Sequence, residues 1–288
     1  MKFKYPTEHS TGHFHSVDGT TANYSPLQGW SNNKNYAFFA FYPHDLTLVN
    51  RDGSTPYSGG VPAIKYTMDA PEEYPEEGAV DGADFVKSMT DVMTAAPITD
   101  CYWKSASDYY SSAGVNTSGG EVKFSFSHRL SSMGLNVKNA SAGGISVSSV
   151  TFTISGLKNQ SVIFPLGGND MDPIYDGEEI GDIACSLDMP ESGAEITASD
   201  EGTELSDKLI FIPQSDAITF TITVGYTRTL EGYDDKEISY TTSPLTTSLT
   251  EGKKHLVYLK FTDSTVEIIG EVREEGWVDI PTVEDTFM

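Results

Sequence analysis

The sequence is poor in basic residues, and this shortage excludes two classes of partner. Only 18 of its 288 residues are Lys or Arg, against 42 Asp and Glu, which gives a net charge of −24. Nucleic acids and anionic membrane surfaces are bound largely through Lys and Arg, so neither is expected to bind this chain. Such an excess of acidic residues is compatible with a protein that interacts with cations, although a role in solubility alone is the simpler interpretation.

Long apolar runs are also absent, and cysteine is scarce. No run of about 18 apolar residues occurs, so no transmembrane helix is predicted. The first residues, MKFKYPTEHSTGHFHS, contain no apolar signal region, which leaves a cytoplasmic protein or one whose export signal is missing from this chain. Cys101 and Cys185 are too few for a zinc knuckle or a CxxC motif. Two separately buried thiols are favoured over a disulfide, because a domain boundary is predicted between them.

Motifs that identify common enzymes are missing as well. The sequence contains no GxSxG elbow, P-loop, Rossmann glycine fingerprint or HExxH. A Ser–His–Asp triad forms in space rather than in sequence, but a chain with this many acids and serines supplies such triplets by chance. For His128 a half-buried, hydrogen-bonded side chain is the simpler interpretation. We therefore expect no catalytic activity.

What the sequence does contain is the two-residue periodicity of half-buried strands, most clearly in residues 121–137, EVKFSFSHRLSSMGLNV. Val122, Phe124 and Phe126 alternate with polar residues, which predicts a strand with one apolar face. The small residues 131–134 predict a bend, after which the alternation resumes.

Similar alternation recurs along the rest of the chain. It is seen in residues 150–154, 162–164, 209–211, 218–224, 238–240, 257–261 and 266–272. These segments are rich in Thr, Ile, Val and Phe and show no helical period, which predicts an all-β fold of packed sheets, a β-sandwich. Residues 36–41 are apolar on both faces and predict a central strand covered on each side. Ser118 and the two glycines after it are the best linker, which divides the chain into domains 1–118 and 119–288, with a tail at 278–288.

Two groups of residues are candidates for binding ligands. The first consists of aromatic side chains that are suited to stacking on a sugar: Tyr102, Trp103, Tyr109 and Tyr110. The second consists of acids that suit calcium, in a loop that does not have the spacing of an EF-hand: Asp170, Asp172, Asp176, Glu178, Glu179 and Asp182. Core packing for the first group and a solvated loop for the second are the simpler alternatives. No other metal or cofactor is expected, since no nearby carboxylate pair or Cys completes a site with the histidines of EHSTGHFH.

Several stretches, in order, resemble the fimbrillin family, the Mfa-like and FimA-like pilins of Bacteroidales surface fimbriae. They are GW followed by NYAFFAFYP, DVMTAAP, VKFSFSHRLSSMGLNV, VSSVTFTISGL, IFIPQ and the closing TEGKKHLVYLKFTDSTVEIIGEVREEGWVD. Together they cover residues from about 29 to 279, and the segment around His128 is the most specific.

The resemblance implies two tandem transthyretin-like or immunoglobulin-like β-sandwich domains. It also implies export as a lipoprotein to the outer membrane, display at the cell surface, and assembly with other pilus subunits by strand exchange. Fewer residues precede the NYAFFAFYP segment than is usual in the family, and no lipid-bearing cysteine is present. These departures from the family pattern leave a truncated N-terminal domain as an open alternative.

These expectations lead to one functional hypothesis and one alternative. The hypothesis is a structural, tip or anchor subunit of a fimbria that contributes to adhesion. A donor strand would then come from the tail, whose apolar candidates are Val278, Ile280, Val283 and Phe287, unless that tail is disordered. The alternative is a surface adhesin that binds a carbohydrate or host protein and does not polymerise.

Overall fold

The computed structural model is all-β, with 24 strands and no helix in the part of the chain that it describes. It describes residues 3–4, 15–16, 36–43, 45–68, 91–105, 108–110, 124–177, 179–196, 202–205, 208–229, 236–269 and 272–277. At 3–4, 15–16, 36, 100–105 and 108–110 the description covers the backbone alone. The predicted all-β fold is confirmed.

Two six-stranded sheets form the largest part of the fold. In the β11 sheet, β11 (Ser131–Asn139) pairs on one side with β22 (Lys253–Phe261). On its other side β11 pairs with two short strands, β17 (Thr203–Glu204) and β18 (Leu209–Phe211). The far side of β22 pairs with β23 (Val266–Ile268) and β24 (Arg273–Gly276). In the β12 sheet, β12 (Gly144–Lys158) pairs on one side with β19 (Gln214–Thr229). On its other side β12 pairs with β15 (Glu179–Ser186) and β16 (Ala194–Ile196). The far side of β19 pairs with β20 (Lys236–Thr241) and β21 (Leu245–Leu249). Strands β11 and β22 run parallel, and every other described pair of strands is antiparallel.

The two large sheets pack face to face around one hydrophobic core. On β19, Ile218, Phe220, Ile222 and Val224 are buried, while the threonines between them face outward, as the period of two predicts. The ring of Tyr226 on β19 meets that of Phe261 on β22 edge to face, with centroids 4.8 Å apart. This contact between the sheets identifies the C-terminal half as a β-sandwich.

Four smaller sheets complete the described structure. The β13 sheet has the order β14 (Ile174–Tyr175), β13 (Ser161–Pro165), β6 (Pro62–Thr67) and β5 (Thr47–Asn50). The β7 sheet has the order β10 (Phe126–His128), β7 (Met93–Ala95) and β4 (Phe41–Tyr42). The remaining two are β3 (Tyr36–Phe38), β8 (Ile98–Ser105) and β9 (Asp108–Tyr110), and the pair of β1 (Phe3–Lys4) with β2 (His15–Ser16).

Strands from both sides of the predicted boundary share two of these sheets. Strand β13 pairs with β6, and β10 pairs with β7, although residue 118 separates the two members of each pair in sequence. Buried residues of β6 and β13, including Ile64 and Phe164, also belong to the core of the large sheets. The division into domains 1–118 and 119–288, and the tandem arrangement of two sandwiches, stay predictions.

The prediction of one central strand at residues 36–41 is wrong. The segment forms two short strands, β3 and β4, and each lies at the edge of its sheet as far as the structure describes it. Phe39, between them, packs so close to Gly167 that a Cβ there would lie 2.6 Å from its ring. The segment is apolar on both faces because the chain changes sheets, not because one strand is covered twice.

The predicted bend at residues 131–134 is also wrong. Ser131 and Ser132 are fully buried within β11, and the break in the strand falls at Arg129 and Leu130. Space is limited at Gly134, where a Cβ would stand 3.1 Å from a methyl group of Leu256 on β22. Phe126, predicted to lie on a buried face, is 42% exposed.

Candidate functional site

His128 lies at the end of β10, where the chain leaves the β7 sheet. His128 is 8% exposed, and its Nδ1 lies 2.7 Å from Oδ2 of Asp91. Its ring stacks on the indole of Trp277, with centroids 4.3 Å apart and planes 2° from parallel. The predicted hydrogen bond of this histidine is present, and the residue is buried rather than half-buried as predicted.

Arg129 makes the next set of contacts. Its Nε lies 2.9 Å from Oε1 of Glu251, but the N–H is not aligned for a hydrogen bond, so the contact is an ion pair. Its guanidinium lies 5.0 Å from the ring centroid of Phe164 on β13. Burial raises the pKa of Glu251, and the positive charge of Arg129 opposes that rise. Arg129 therefore joins the β13 sheet to the turn before β22.

Backbone hydrogen bonds tie the same segments together. The Gly252 N–H donates to the Leu130 carbonyl at 2.9 Å, and the Trp277 N–H donates to the Gly252 carbonyl at 3.2 Å. The Arg129 N–H donates to the Val92 carbonyl at 2.7 Å. We call this cluster, formed by Asp91, His128, Arg129, Glu251, Gly252 and Trp277, the strand junction. It joins three places: the point where the chain enters the large sandwich, the β21–β22 turn and the end of β24.

An exposed aromatic face lies beside the junction on the β7 sheet. Tyr42 is 49% exposed and Phe126 is 42% exposed. Tyr42 on β4 and His128 on β10 both pair with Met93 on β7, and Phe126 on β10 pairs with Ala95, two positions from Met93 along β7. Because side chains two positions apart in a strand lie on the same face, Tyr42 and Phe126 share one face of the sheet. Strands β4 and β10 are the edges of this sheet within the described residues, and edge strands carry backbone groups that can pair with another chain.

The structure leaves most of the predicted site residues undecided. The donor-strand candidates Val278, Ile280, Val283 and Phe287 lie outside the described residues. The stacking candidates are described by their backbone alone, where the register pairs Tyr102 with Tyr110 and Trp103 with Tyr109 across β8 and β9. The four positions thus form two neighbouring cross-strand pairs, and their role in binding stays a prediction.

The acidic loop is partly engaged by other parts of the chain. Asp170 forms an ion pair with Arg51, and the Asp176 carboxylate accepts a hydrogen bond from the Ser161 N–H at 2.6 Å. Glu178 lies outside the described residues. Within them, no group of three or more His, Cys, Asp or Glu side chains is placed to hold a metal ion. Calcium binding stays an untested prediction.

Cys185 is a free, buried thiol on β15, and burial raises its pKa to about 12. The side chain of Cys101 lies outside the described residues. Among the described elements, no helix has the length and apolar character required to cross a membrane.

An open groove of about 750 Å³ is a feature that the sequence analysis misses. It lies between the β12–β13 turn, β14, the β18–β19 turn and the β21–β22 turn, and we call it the Gln214 groove after the residue at its base. In the sequence, Pro213 and Gln214 indicate only the end of a strand, and Asn159 belongs to no pattern. The one available signal is the pair of polar amides in KNQ and PQSD, and the sequence does not show that these segments meet.

Comparisons with known proteins agree with the fold. Residues 4–277 match the family described as fimbrillin-like. The crystal structure of a fimbrial protein from Bacteroides vulgatus has a TM-score of 0.53 at 16% identity, over 83% of this chain and 77% of that chain, which shows a shared fold alone. A structure described as a cell adhesion protein from Bacteroides ovatus has a TM-score of 0.46 at 16% identity, over 93% of this chain and 76% of that one. A comparison with curated protein sequences finds no significant match.

Proposed function

Because the chain belongs to the fimbrillin-like family, we propose that it is a structural, tip or anchor subunit of a bacterial cell-surface fimbria. It assembles with other pilus subunits by β-strand addition and contributes to adhesion. The family match over residues 4–277 is the observation that carries this proposal, and it confirms the resemblance inferred from the sequence. The same membership supports a location at the cell surface and a structural protein rather than an enzyme. Export as an outer-membrane lipoprotein belongs to the proposal.

The β7 sheet supports assembly by strand addition. Tyr42 and Phe126 leave an apolar surface on a sheet of three short strands, with described edges at β4 and β10. A further strand from a neighbouring subunit would satisfy the edge hydrogen bonds and cover apolar surface, which is how strand addition generates affinity.

The position of Trp277 supports the tail as the donated strand. Trp277 is stacked on His128 of β10, so residues 278–288 continue from a point fixed against the β7 sheet. A strand alternates its side chains between two faces, so Val278 and Ile280 would enter a groove of the next subunit while Asp279 faces away.

Assembly of the purified chain tests this function. We expect polymers, detected by light scattering and electron microscopy, that deletion of residues 278–288 abolishes. Ile280→Asp should also prevent assembly, because it places a charge in the apolar groove of the acceptor, whereas Asp279→Asn at the neighbouring position should assemble normally. Assembly that survives the deletion would show that the tail is not the donor strand.

The alternative function is a surface adhesin that binds carbohydrate or a host protein without polymerising. The register that brings Tyr102 and Trp103 beside Tyr110 and Tyr109 favours it as a second candidate. Alanine at these four positions should abolish binding to a host glycan, and unchanged binding on a glycan array would contradict this role for them.

A further inference from the structure

The Gln214 groove is built where regular strand pairing fails in several places. The register between β12 and β15 shifts after Ile154, and the register between β19 and β21 shifts between Gln214 and Ile218. Asn159, at the turn after β12, has a φ of 69°, in the left-handed region that residues other than glycine seldom adopt. Bulges and backbone strain of this kind concentrate beside binding sites, because they re-aim side chains.

Two buried amides hold the base of the groove rigid. The Gln214 side chain accepts a hydrogen bond from the Lys158 N–H at 2.8 Å and donates to the carbonyls of Gly156 and Asp216 at 2.9 and 3.0 Å. The Asn159 side chain donates to the Pro213 carbonyl at 3.2 Å, and its Oδ1 accepts from the Gly177 N–H at 3.2 Å. A ligand would therefore meet a preformed surface and lose little affinity to ordering it.

The charged side chains that line the groove are already paired. Lys158 Nζ lies 2.6 Å from Oδ2 of Asp216, and Glu251 pairs with Arg129 at 2.9 Å. An ionic ligand would have to displace one of these partners, and an anion would also be repelled by the net charge of −24. The lining thus favours an uncharged ligand.

The remaining exposed groups of the lining include one aromatic ring and two hydroxyl groups. Tyr175 on β14 is 37% exposed, and the groove is also lined by two exposed serines, Ser215 on β19 and Ser248 on β21. Partial burial, together with the nearby Glu251 carboxylate, raises the pKa of Tyr175 to about 12, so the phenol keeps its proton and can donate a hydrogen bond. Such a set matches a ligand with one apolar face and several hydroxyl groups.

We propose that the Gln214 groove binds a neutral oligosaccharide, with one sugar ring stacked on Tyr175 and its hydroxyls hydrogen-bonded to Ser215 and Ser248. The C–H bonds on one face of a pyranose pack against the electron-rich face of an aromatic ring. The groove volume lies within the range of about 300–1,000 Å³ found for small-molecule sites. This inference rests on the proposed adhesive role, and it assigns that role a site and a ligand class.

A glycan array followed by titration calorimetry tests the proposal. The array carries neutral oligosaccharides of glucose, galactose, mannose, xylose and N-acetylhexosamines, beside sialylated and sulfated versions of the same chains. We expect the full chain to bind at least one neutral oligosaccharide and to bind its charged version more weakly. Tyr175→Ala should lower the affinity for the bound neutral glycan by about tenfold or more. Tyr175→Phe, which keeps the ring, should lower that affinity by much less.

Matched variants separate the groove from other surfaces. Ser248→Trp should block the groove and abolish binding, whereas Tyr42→Ala removes a still more exposed ring on the β7 sheet and should bind as the wild type does. The proposal is overturned if no neutral glycan binds, if the charged versions bind more tightly, or if Tyr175→Ala binds unchanged. Displacement of the bound sugar by an uncharged peptide that binds more tightly would likewise overturn the carbohydrate assignment.

Assembly measured on the same variants distinguishes this proposal from the fimbrial one. Tyr175→Ala should still polymerise through its tail, since Tyr175 belongs to the β13 sheet and not to the β7 sheet that is proposed to accept a strand. A chain that polymerises without binding any neutral glycan overturns the groove alone. A chain that binds through Tyr175 but does not polymerise overturns the fimbrial assembly and leaves the groove intact.

Discussion

His128 and Trp277 stack almost parallel, with ring centroids 4.3 Å apart, although one lies just before the first long strand of the large sandwich and the other just after its last strand. Both side chains are buried. The stack therefore closes the sandwich where the chain enters and leaves it, and it ties that point to Asp91 before the β7 strand.

Removal of the indole should destabilise the protein strongly. We expect Trp277→Ala to lower the free energy of unfolding by about 3–5 kcal/mol, because a large buried ring leaves a cavity and His128 loses its stacking partner. Urea denaturation followed by circular dichroism measures this change. Tyr42→Ala, at an exposed site, should change the same quantity by less than about 0.5 kcal/mol. Equal stability of the two variants would show that the stack does not hold the sandwich closed.

Gly252 is required by its conformation and by a close contact. Its φ is +66°, and a Cβ at this position would stand 3.0 Å from the His128 carbonyl oxygen. We expect Gly252→Ala to lower the free energy of unfolding by about 1–3 kcal/mol, as strained backbone positions do.

Gly181 provides the control for this substitution. It also has a positive φ, +87°, but a Cβ at this position would have no other atom within 4 Å. Gly181→Ala therefore carries the conformational cost without the contact. If both variants lose the same stability in urea denaturation, the contact with His128 contributes nothing.

His255 makes stability depend on pH. It is 1% exposed on β22, and its Nε2 accepts a hydrogen bond from the Thr250 N–H at 3.2 Å. Burial lowers its pKa below the ordinary value of 6.5, and the nearby Glu274 carboxylate opposes the shift. The unfolded chain therefore takes up a proton more readily than the folded one as the pH falls through 6.5 and below.

The sign follows from this difference in proton uptake. The stability contributed by neutral His255 is present above pH 6.5 and is lost as the pH falls towards its folded pKa. We expect His255→Gln, which keeps an acceptor but cannot be protonated, to show a smaller fall in the free energy of unfolding between pH 7 and pH 5 than the wild type. Parallel pH profiles, measured by urea denaturation at each pH, would contradict the role of His255.

The strands of the sandwich could be predicted because their pattern is local. In β19 the buried Ile218, Phe220 and Ile222 alternate with threonines, and this period needs no knowledge of the partner strand. Where the partner strand decides the conformation, the prediction fails. Ser131 and Gly134 belong to a chemical type that is common in turns, yet they lie within β11, where Ser131 pairs with Phe211 of β18 and Gly134 with Leu256 of β22.

The junction and the groove were beyond prediction for the same reason. Asp91, His128, Glu251 and Trp277 lie in four separate segments, and nothing in the alternation of any one of them specifies which others it meets. The amide of Gln214 likewise holds backbone groups of the β12 end that are distant in sequence. Contacts that depend on strand order are set by the whole fold, and local periodicity carries no information about them.

Cys185 offers a probe of how the β12 sheet opens. It is a fully buried free thiol on β15, and burial raises its pKa to about 12, so almost no reactive thiolate exists in the folded protein near neutral pH. A Cys101→Ser background leaves Cys185 as the one thiol. We expect an aromatic disulfide reagent at pH 8 to react with this folded protein more than about a hundredfold more slowly than with the same protein unfolded in urea, because the thiolate is the reactive species and burial removes it.

Substitution of its neighbours should change that rate in a defined way. Phe152, which aligns with Cys185 across β12, is fully buried, so Phe152→Ala should loosen the sheet and accelerate labelling under native conditions. Thr153→Ala, at the adjacent outward position, is exposed and should leave the labelling rate unchanged. Rapid labelling of the folded wild type would contradict the burial of Cys185, because a thiol shielded by the sheet reacts only when the sheet opens.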